Sequence, residues 1–181
     1  MEVTMDKPAY EKTISQKIIF LDIDGVLNSS SWNAVHQMEI CDGTLVDKDK
    51  ICLLAKLVKE TTAALVLHSG WRFWFDKDLK PVRKEAFRLL EMLHCEGLSL
   101  YSITPDLSTD KIKYTKKFSL VKANEILSWL KHHPEAGRWI VIDDLDLHND
   151  IIRQHQIKTD QTVGLTSQDI EHAKVMLMDT D

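Results

Sequence analysis

The chain has 181 residues, which is enough for one domain with a hydrophobic core and short for two. Its 28 acidic and 23 basic side chains give a net charge of −5, which argues against a protein that mainly coats nucleic acid but allows a local basic patch. The three cysteines are widely spaced and lack a C-x-x-C pair, which favours a reducing compartment and argues against structural zinc.

The amino-terminal residues 1–16 are polar and aperiodic, so we expect a flexible lead-in before a single domain over residues 17–181. The lead-in has no apolar run long enough for a secretory signal. No stretch of the chain approaches the roughly 20 apolar residues that span a bilayer. The sequence therefore predicts a cytoplasmic protein that does not bind a membrane, and no obligate protein partner is evident.

Short apolar runs alternate with amphipathic segments along the rest of the chain. Strands are predicted over KIIFLDI (17–23), TAALVL (62–67), LSLYSI (98–103) and RWIVI (138–142), with a last extended piece at HQIKT (155–159). Helices are predicted over 46–60, 82–94, 119–133 and 166–177. Residues 28–46 and 104–118 are predicted to be long loops. Apolar strands separated by helices predict an α/β fold, a Rossmann-like parallel sheet with helices on both faces.

Polar side chains follow three of these strands. They are Asp22 and Asp24, then His68 and Ser69, then Asp143 and Asp144. Because ligands of open α/β sheets bind beyond the carboxyl ends of the strands, we expect these side chains to converge. Clustered carboxylates repel one another unless a cation lies among them, and oxygen ligands beside a phosphate favour Mg²⁺. Gly25 would allow the sharp turn and close backbone approach next to this cluster.

These motifs resemble the haloacid dehalogenase-like (HAD) phosphohydrolase superfamily. LDIDGVLN resembles its first motif, LVLHSGWR its second, the basic residue of VKANEILSWL its third and WIVIDDLD its fourth, in the family's order, over about residues 17–175. The details SGWR, K-x-x-E-I-x-x-W-L, IDD and TVGLT are similar to small members related to the phosphatase domains of RNA-repair proteins.

The resemblance implies a role for each acidic residue. Asp22 would be the nucleophile that forms an aspartyl-phosphate, and Asp24 would be the general acid and then the general base. Mg²⁺ would be held by Asp22, the backbone carbonyl of Asp24, and Asp144, with Asp143 close by; which of the last two is the direct ligand stays open.

The resemblance also implies that Ser69 and Lys122 hold the phosphoryl oxygens. A lysine in the first turn of a helix opposes the helix dipole, so Lys122 is favourable there if an anion also binds. Lys116 or Lys117 could take this role instead. His68 stands where related sequences often carry a small hydroxyl residue, and we interpret it as a packed or hydrogen-bonding histidine.

The intervals between the motifs leave no room for a large cap domain, so we expect an open site. Such a site would admit a bulky substrate, a nucleic-acid end or a phosphoprotein, and also nucleotides. A basic cluster lies beside the predicted site and consists of Lys111, Lys113, Lys116 and Lys117. This cluster could bind a polyanion or could simply be a solvated loop.

The segment WRFWF (71–75) could offer a platform on which bases stack, although two or more of its aromatic rings are expected in the core. Arg72 and Asn28 are candidate substrate contacts. The sequence thus predicts a Mg²⁺-dependent phosphomonoester hydrolase acting on a phosphorylated small molecule, nucleotide or nucleic-acid end. The alternatives are a phosphotransferase of the same fold and a non-catalytic phosphate-binding module.

Overall fold

A computed structural model describes residues 15–115 and 117–178, so the predicted lead-in lies almost entirely outside the described residues. This part of the chain contains one five-stranded sheet. Its strands are β1 (Gln16–Leu21), β2 (Ala64–Leu67), β3 (Leu100–Ile103), β4 (Ala136–Asp143) and β5 (Gln156–Lys158). All neighbouring pairs are parallel and the order is β3-β2-β1-β4-β5, which confirms the predicted sheet.

Helices connect the strands. They are α1 (Ser30–Val35), α2 (Gln37–Cys41), α3 (Lys48–Thr61), α4 (Lys84–Cys95), α5 (Asp110–Thr115), α6 (Ser119–His132), α7 (Asp150–Gln154) and α8 (Ser167–Met178), with a 3₁₀ helix at Gly70–Trp74. The four predicted helices correspond to α3, α4, α6 and α8. Asp47 caps α3 by accepting a hydrogen bond from the amide of Asp49.

Successive strand residues face opposite sides of the sheet, and each side has its own apolar core. On one side, Ile19 and Leu21 of β1 pack in a cluster with the buried faces of α3, α4 and α8. On the other side, Ile18 and Phe20 pack in a cluster with residues of α6 and α7. Helices therefore cover both faces of the sheet, which explains why the strands read as unbroken apolar runs.

The two predicted loops are partly helical, and this is the main difference between expectation and structure. Residues 28–46 contain α1 and α2, and residues 104–118 contain α5. None of these short helices has a buried residue, so they carry no apolar periodicity that a sequence pattern could detect. Neither interval holds a large cap domain within the described residues, as expected.

Candidate active site

The centre of the sheet brings the ends of three strands together. The strand β1 lies between β2 and β4, so the chain leaves the sheet in opposite directions on its two sides, which is where open α/β sheets bind ligands. Beyond the strand ends lies a pocket of about 390 Å³. Its lining includes most of the predicted site residues: Asp22, Asp24, Ser69, Arg72, Lys122 and Asp144.

A buried lysine joins the ends of β1 and β4. The Nζ atom of Lys122 donates hydrogen bonds to Oδ2 of Asp22 and to Oδ2 of Asp143, each at 2.7 Å. All three side chains are almost completely buried. The same oxygen of Asp143 lies 3.1 Å from Nε2 of His68, so His68 is a hydrogen-bonding histidine, as interpreted from the sequence. Lys122 therefore offsets much of the charge of two carboxylates that would otherwise repel each other.

These contacts give the carboxylates different proton affinities. Burial raises the pKa of Asp22, and the charge of Asp143 raises this pKa further, against the opposing effect of Lys122. Burial also acts to raise the pKa of Asp143, but the bond from His68 and the charge of Lys122 prevail and lower the pKa to about 2. Burial alone would lower the pKa of Lys122, yet the two carboxylates raise it. Lys122 and Asp143 are therefore a stable ion pair.

A third carboxylate completes an acidic cluster. Oxygen atoms of Asp22, Asp143 and Asp144 lie within 4.8 Å of one another. Burial, followed by the charges of Asp143 and Asp22, raises the pKa of Asp144 to about 6. Gly25 has a φ angle of +72°, and a Cβ atom there would lie only 2.6 Å from Cγ of Asp144. The backbone thus leaves room for this carboxylate, and the oxygen set suits a hard divalent cation.

Asp24 is exposed at the pocket, and both of its carboxylate oxygens accept hydrogen bonds. The indole Nε1 of Trp71 donates to Oδ2 at 3.1 Å, and Nδ2 of Asn28 donates to Oδ1 at 2.9 Å. Nδ2 of Asn28 also donates to the carbonyl of Leu45, and its Oδ1 accepts from the amide of Gly25. The polar atoms of Asn28 are thus engaged within the protein, where they fix the turn that carries Asp24.

The second motif supplies a buried hydroxyl. Ser69 is buried and lines the pocket. It caps the 3₁₀ helix, because its Oγ accepts a hydrogen bond from the amide of Trp71 at 3.3 Å. Its hydroxyl hydrogen remains able to donate. His68 faces away, towards Asp143. Of the two residues, Ser69 is the one whose position suits an anion in the pocket.

Arg72 is held in place by a partner that sequence reasoning missed. Its Nη2 donates to Oε1 of Glu125 at 2.8 Å, and its Nη1 donates to the carbonyl of Ser69 at 3.0 Å. The same oxygen of Glu125 accepts from the amide of Leu107 at 3.0 Å. Glu125 lies three residues after Lys122, on the same helical face, and this spacing was the available signal.

The aromatic segment divides between core and surface, as expected. Trp71 and Phe75 are buried, while Phe73 is 49% exposed and lines the pocket. The contact of Trp71 with Asp24 was not anticipated. A buried indole N–H needs an acceptor, and a tryptophan two residues after Ser69, within the second motif, was the clue to this contact.

The basic cluster lies on α5 and on the segment that leads from α5 to Phe118, a residue of the pocket lining. Lys111, Lys113 and Lys117 are exposed, and Lys116 lies outside the described residues. Nζ of Lys113 is 3.5 Å from Oδ2 of Asp106. Unlike Lys122, Lys117 does not line the pocket.

None of the described helices is both long and apolar enough to cross a membrane. A search of curated proteins found no match to this chain, and a search of solved structures also found none. The family described as the HAD domain in Swiss Army Knife RNA repair proteins matches residues 18–170. This range includes every residue of the pocket and all five strands except for the first two residues of β1. The chain therefore belongs to this family of HAD domains.

Proposed function

We propose that the protein is a Mg²⁺-dependent phosphomonoester hydrolase that acts through an aspartyl-phosphate on a nucleotide or a nucleic-acid end. One observation carries this proposal: the pocket holds a carboxylate bridged to a buried lysine beside a second, exposed carboxylate held by two N–H donors. The first arrangement suits a nucleophile and the second suits a group that transfers protons.

The first half-reaction transfers the phosphoryl group to the protein. A carboxylate oxygen of Asp22 attacks phosphorus, the bond from phosphorus to the leaving oxygen breaks, and protonated Asp24 gives its proton to that oxygen. Trp71 and Asn28 keep the Asp24 carboxyl in one orientation. Ser69 and Lys122 donate hydrogen bonds to the non-bridging phosphoryl oxygens, with Lys122 turning part of its contact from the carboxylates to the substrate.

The second half-reaction restores the enzyme. Asp24, now ionised, takes a proton from water as the water oxygen attacks phosphorus, the bond to Asp22 breaks and inorganic phosphate leaves. Asp22, Asp144 and the backbone carbonyl of Asp24 would hold Mg²⁺, with Asp143 behind them in its ion pair with Lys122. When bound, the ion would neutralise charge between the carboxylates and the phosphoryl group.

The surroundings of the pocket support a substrate larger than a free phosphate ester. Within the described residues no cap domain covers the pocket, and exposed lysines on and after α5 lie nearby. The family description, which refers to RNA repair, favours a nucleic-acid end over other phosphorylated substrates.

The test is phosphate release from an aryl phosphate, from nucleotides and from 3′- and 5′-phosphorylated oligonucleotides, with Mg²⁺ or with excess chelator. Asp22→Asn should abolish turnover, because an amide cannot form the acyl-phosphate. Asp146→Asn is the matched control, since this aspartate lies beyond β4, does not line the pocket and has a side chain that is 48% exposed.

Mass detection of a phosphorylated residue other than Asp22, or full activity in excess chelator, would contradict the proposal. Transfer of phosphate to an added alcohol in preference to water would indicate a phosphotransferase instead. Phosphate binding without turnover on any substrate would indicate a non-catalytic module.

A further inference from the structure

A second cavity of about 550 Å³ adjoins the active-site pocket. We call it the side cleft; its lining includes Arg72, Phe73, Thr104, Trp129 and His132. Arg72 and Phe73 line both cavities, so the two share a wall. A cavity of this size lies within the range of roughly 300–1,000 Å³ that is typical of small-molecule sites.

The shared wall is an aromatic ring backed by a fixed cation. The guanidinium carbon of Arg72 lies 4.4 Å from the ring centroid of Phe73. Arg72 cannot easily move, because Glu125 and the Ser69 carbonyl hold it. Phe73 is nevertheless half exposed. An exposed aromatic ring held beside a phosphate site is a surface on which a nucleobase can stack.

The rest of the cleft combines stacked rings with basic groups. Trp129 and His133 stack at a centroid distance of 3.6 Å and an interplanar angle of 3°. The exposed side chains of His132 and Lys77 also line the cleft. Asp106, another lining residue, forms an ion pair with Lys113 of α5, which places this lysine of the basic cluster at the rim of the cleft.

We infer that the side cleft receives the nucleoside next to the phosphorylated terminal nucleotide, so that the substrate is a single-stranded nucleic-acid end of at least two nucleotides. This inference rests on the proposed phosphatase function. The terminal phosphate occupies the pocket, the neighbouring base stacks on Phe73, and the phosphodiester backbone meets Lys77 and the lysines of α5. A mononucleotide would leave the cleft empty.

A phosphopeptide is the competing occupant. Its backbone needs hydrogen-bonding partners, whereas the wall that the two cavities share offers a ring and a cation. The lysine at the rim favours a repeating anion, which a phosphodiester chain supplies and a typical peptide does not. A nucleic-acid end and a phosphopeptide are different substrates, so a direct comparison of their hydrolysis distinguishes the two possibilities.

The experiment compares kcat/KM for trinucleotides that carry one terminal phosphate and in which the nucleotide next to the phosphorylated terminal nucleotide is either natural or abasic. Wild-type protein should lose roughly tenfold in kcat/KM on the abasic substrate, which is within the range of one lost stacking contact. In Phe73→Ala, kcat/KM on the natural substrate divided by kcat/KM on the abasic substrate should fall to about one. Phe87→Ala should keep the wild-type ratio, because Phe87 is 58% exposed but lines neither cavity.

Binding of the same oligonucleotides by fluorescence anisotropy tests the cleft without turnover. If no substrate is hydrolysed, the proposed function fails, while tighter binding of the natural oligonucleotide than the abasic one still supports the cleft. Equal kcat/KM and equal affinity for the natural and abasic oligonucleotides would overturn the inference, even if phosphate is released. Faster hydrolysis of a phosphorylated tripeptide than of the trinucleotide would also overturn it.

Discussion

Replacing Asp144 by Asn should stabilise the metal-free protein at neutral pH. Asp144 is held close to two other carboxylates, and its pKa is raised from 3.8 to about 6. A raised pKa means that the folded state binds the proton more tightly than the unfolded state. Protonated Asp144 therefore favours folding at low pH, and this contribution is lost as the pH rises through about 6. The asparagine side chain has no charge to lose, so the variant avoids this cost.

The size of the effect follows from the shift in pKa. A shift of one pKa unit corresponds to roughly 1.4 kcal/mol, so a rise in the pKa of Asp144 from 3.8 to about 6 sets a ceiling of about 3 kcal/mol. Asp144 is only partly buried, so solvent screening reduces the expected gain to about 1–2 kcal/mol. For a protein of this size, a gain of that order raises Tm by roughly 3–6 °C.

The assay is thermal unfolding of wild-type protein, Asp144→Asn and the control Asp146→Asn, with chelator, near pH 4 and near pH 7.5. The Tm of Asp144→Asn should be higher than that of the wild type only at the higher pH. Adding Mg²⁺ should then stabilise the wild type, by about 2.7 kcal/mol at one hundred times its dissociation constant, and should stabilise the variant far less.

Two results would refute this reasoning. If Asp144→Asn has the same Tm as the wild type in chelator at pH 7.5, the carboxylates do not destabilise the fold. If Mg²⁺ stabilises both proteins equally, Asp144 does not contribute to a metal site.

Lys122→Met should lower the free energy of unfolding by about 3–5 kcal/mol, because it leaves two buried carboxylates without their cation. Denaturant unfolding measures this change, and a decrease below about 1 kcal/mol would contradict the ion pair. Trp71→Phe keeps an aromatic ring but removes the N–H that orients Asp24. Its kcat should fall roughly tenfold on an alkyl phosphate and much less on p-nitrophenyl phosphate, whose leaving group needs no proton, and equal losses would indicate a structural role only. Neutralising the four lysines of 111–117 should flatten the salt dependence of kcat/KM on a phosphorylated oligonucleotide, and an unchanged slope would mean that the cluster is merely solvated.

The sequence alone determined the elements whose signals are local. Unbroken apolar runs indicated the buried strands, and the amphipathic segments between them indicated the four longest helices. The order of the motifs was sufficient to indicate the family, and the acidic strand ends indicated where a site would lie. These features could be predicted because each depends on the chemistry of a few adjacent residues.

Only the tertiary structure decided which side chains meet. Lys122 and Asp22 are 100 positions apart, and Trp71 and Asp24 are 47 apart, so their contacts depend on strand order and register. The sequence left Lys116 and Lys117 as alternatives to Lys122, and the approach of α6 to the end of β1 favours Lys122. The short helices α1, α2 and α5 escaped prediction because they bury no side chain, and their conformation depends on their surroundings rather than on a repeated apolar pattern.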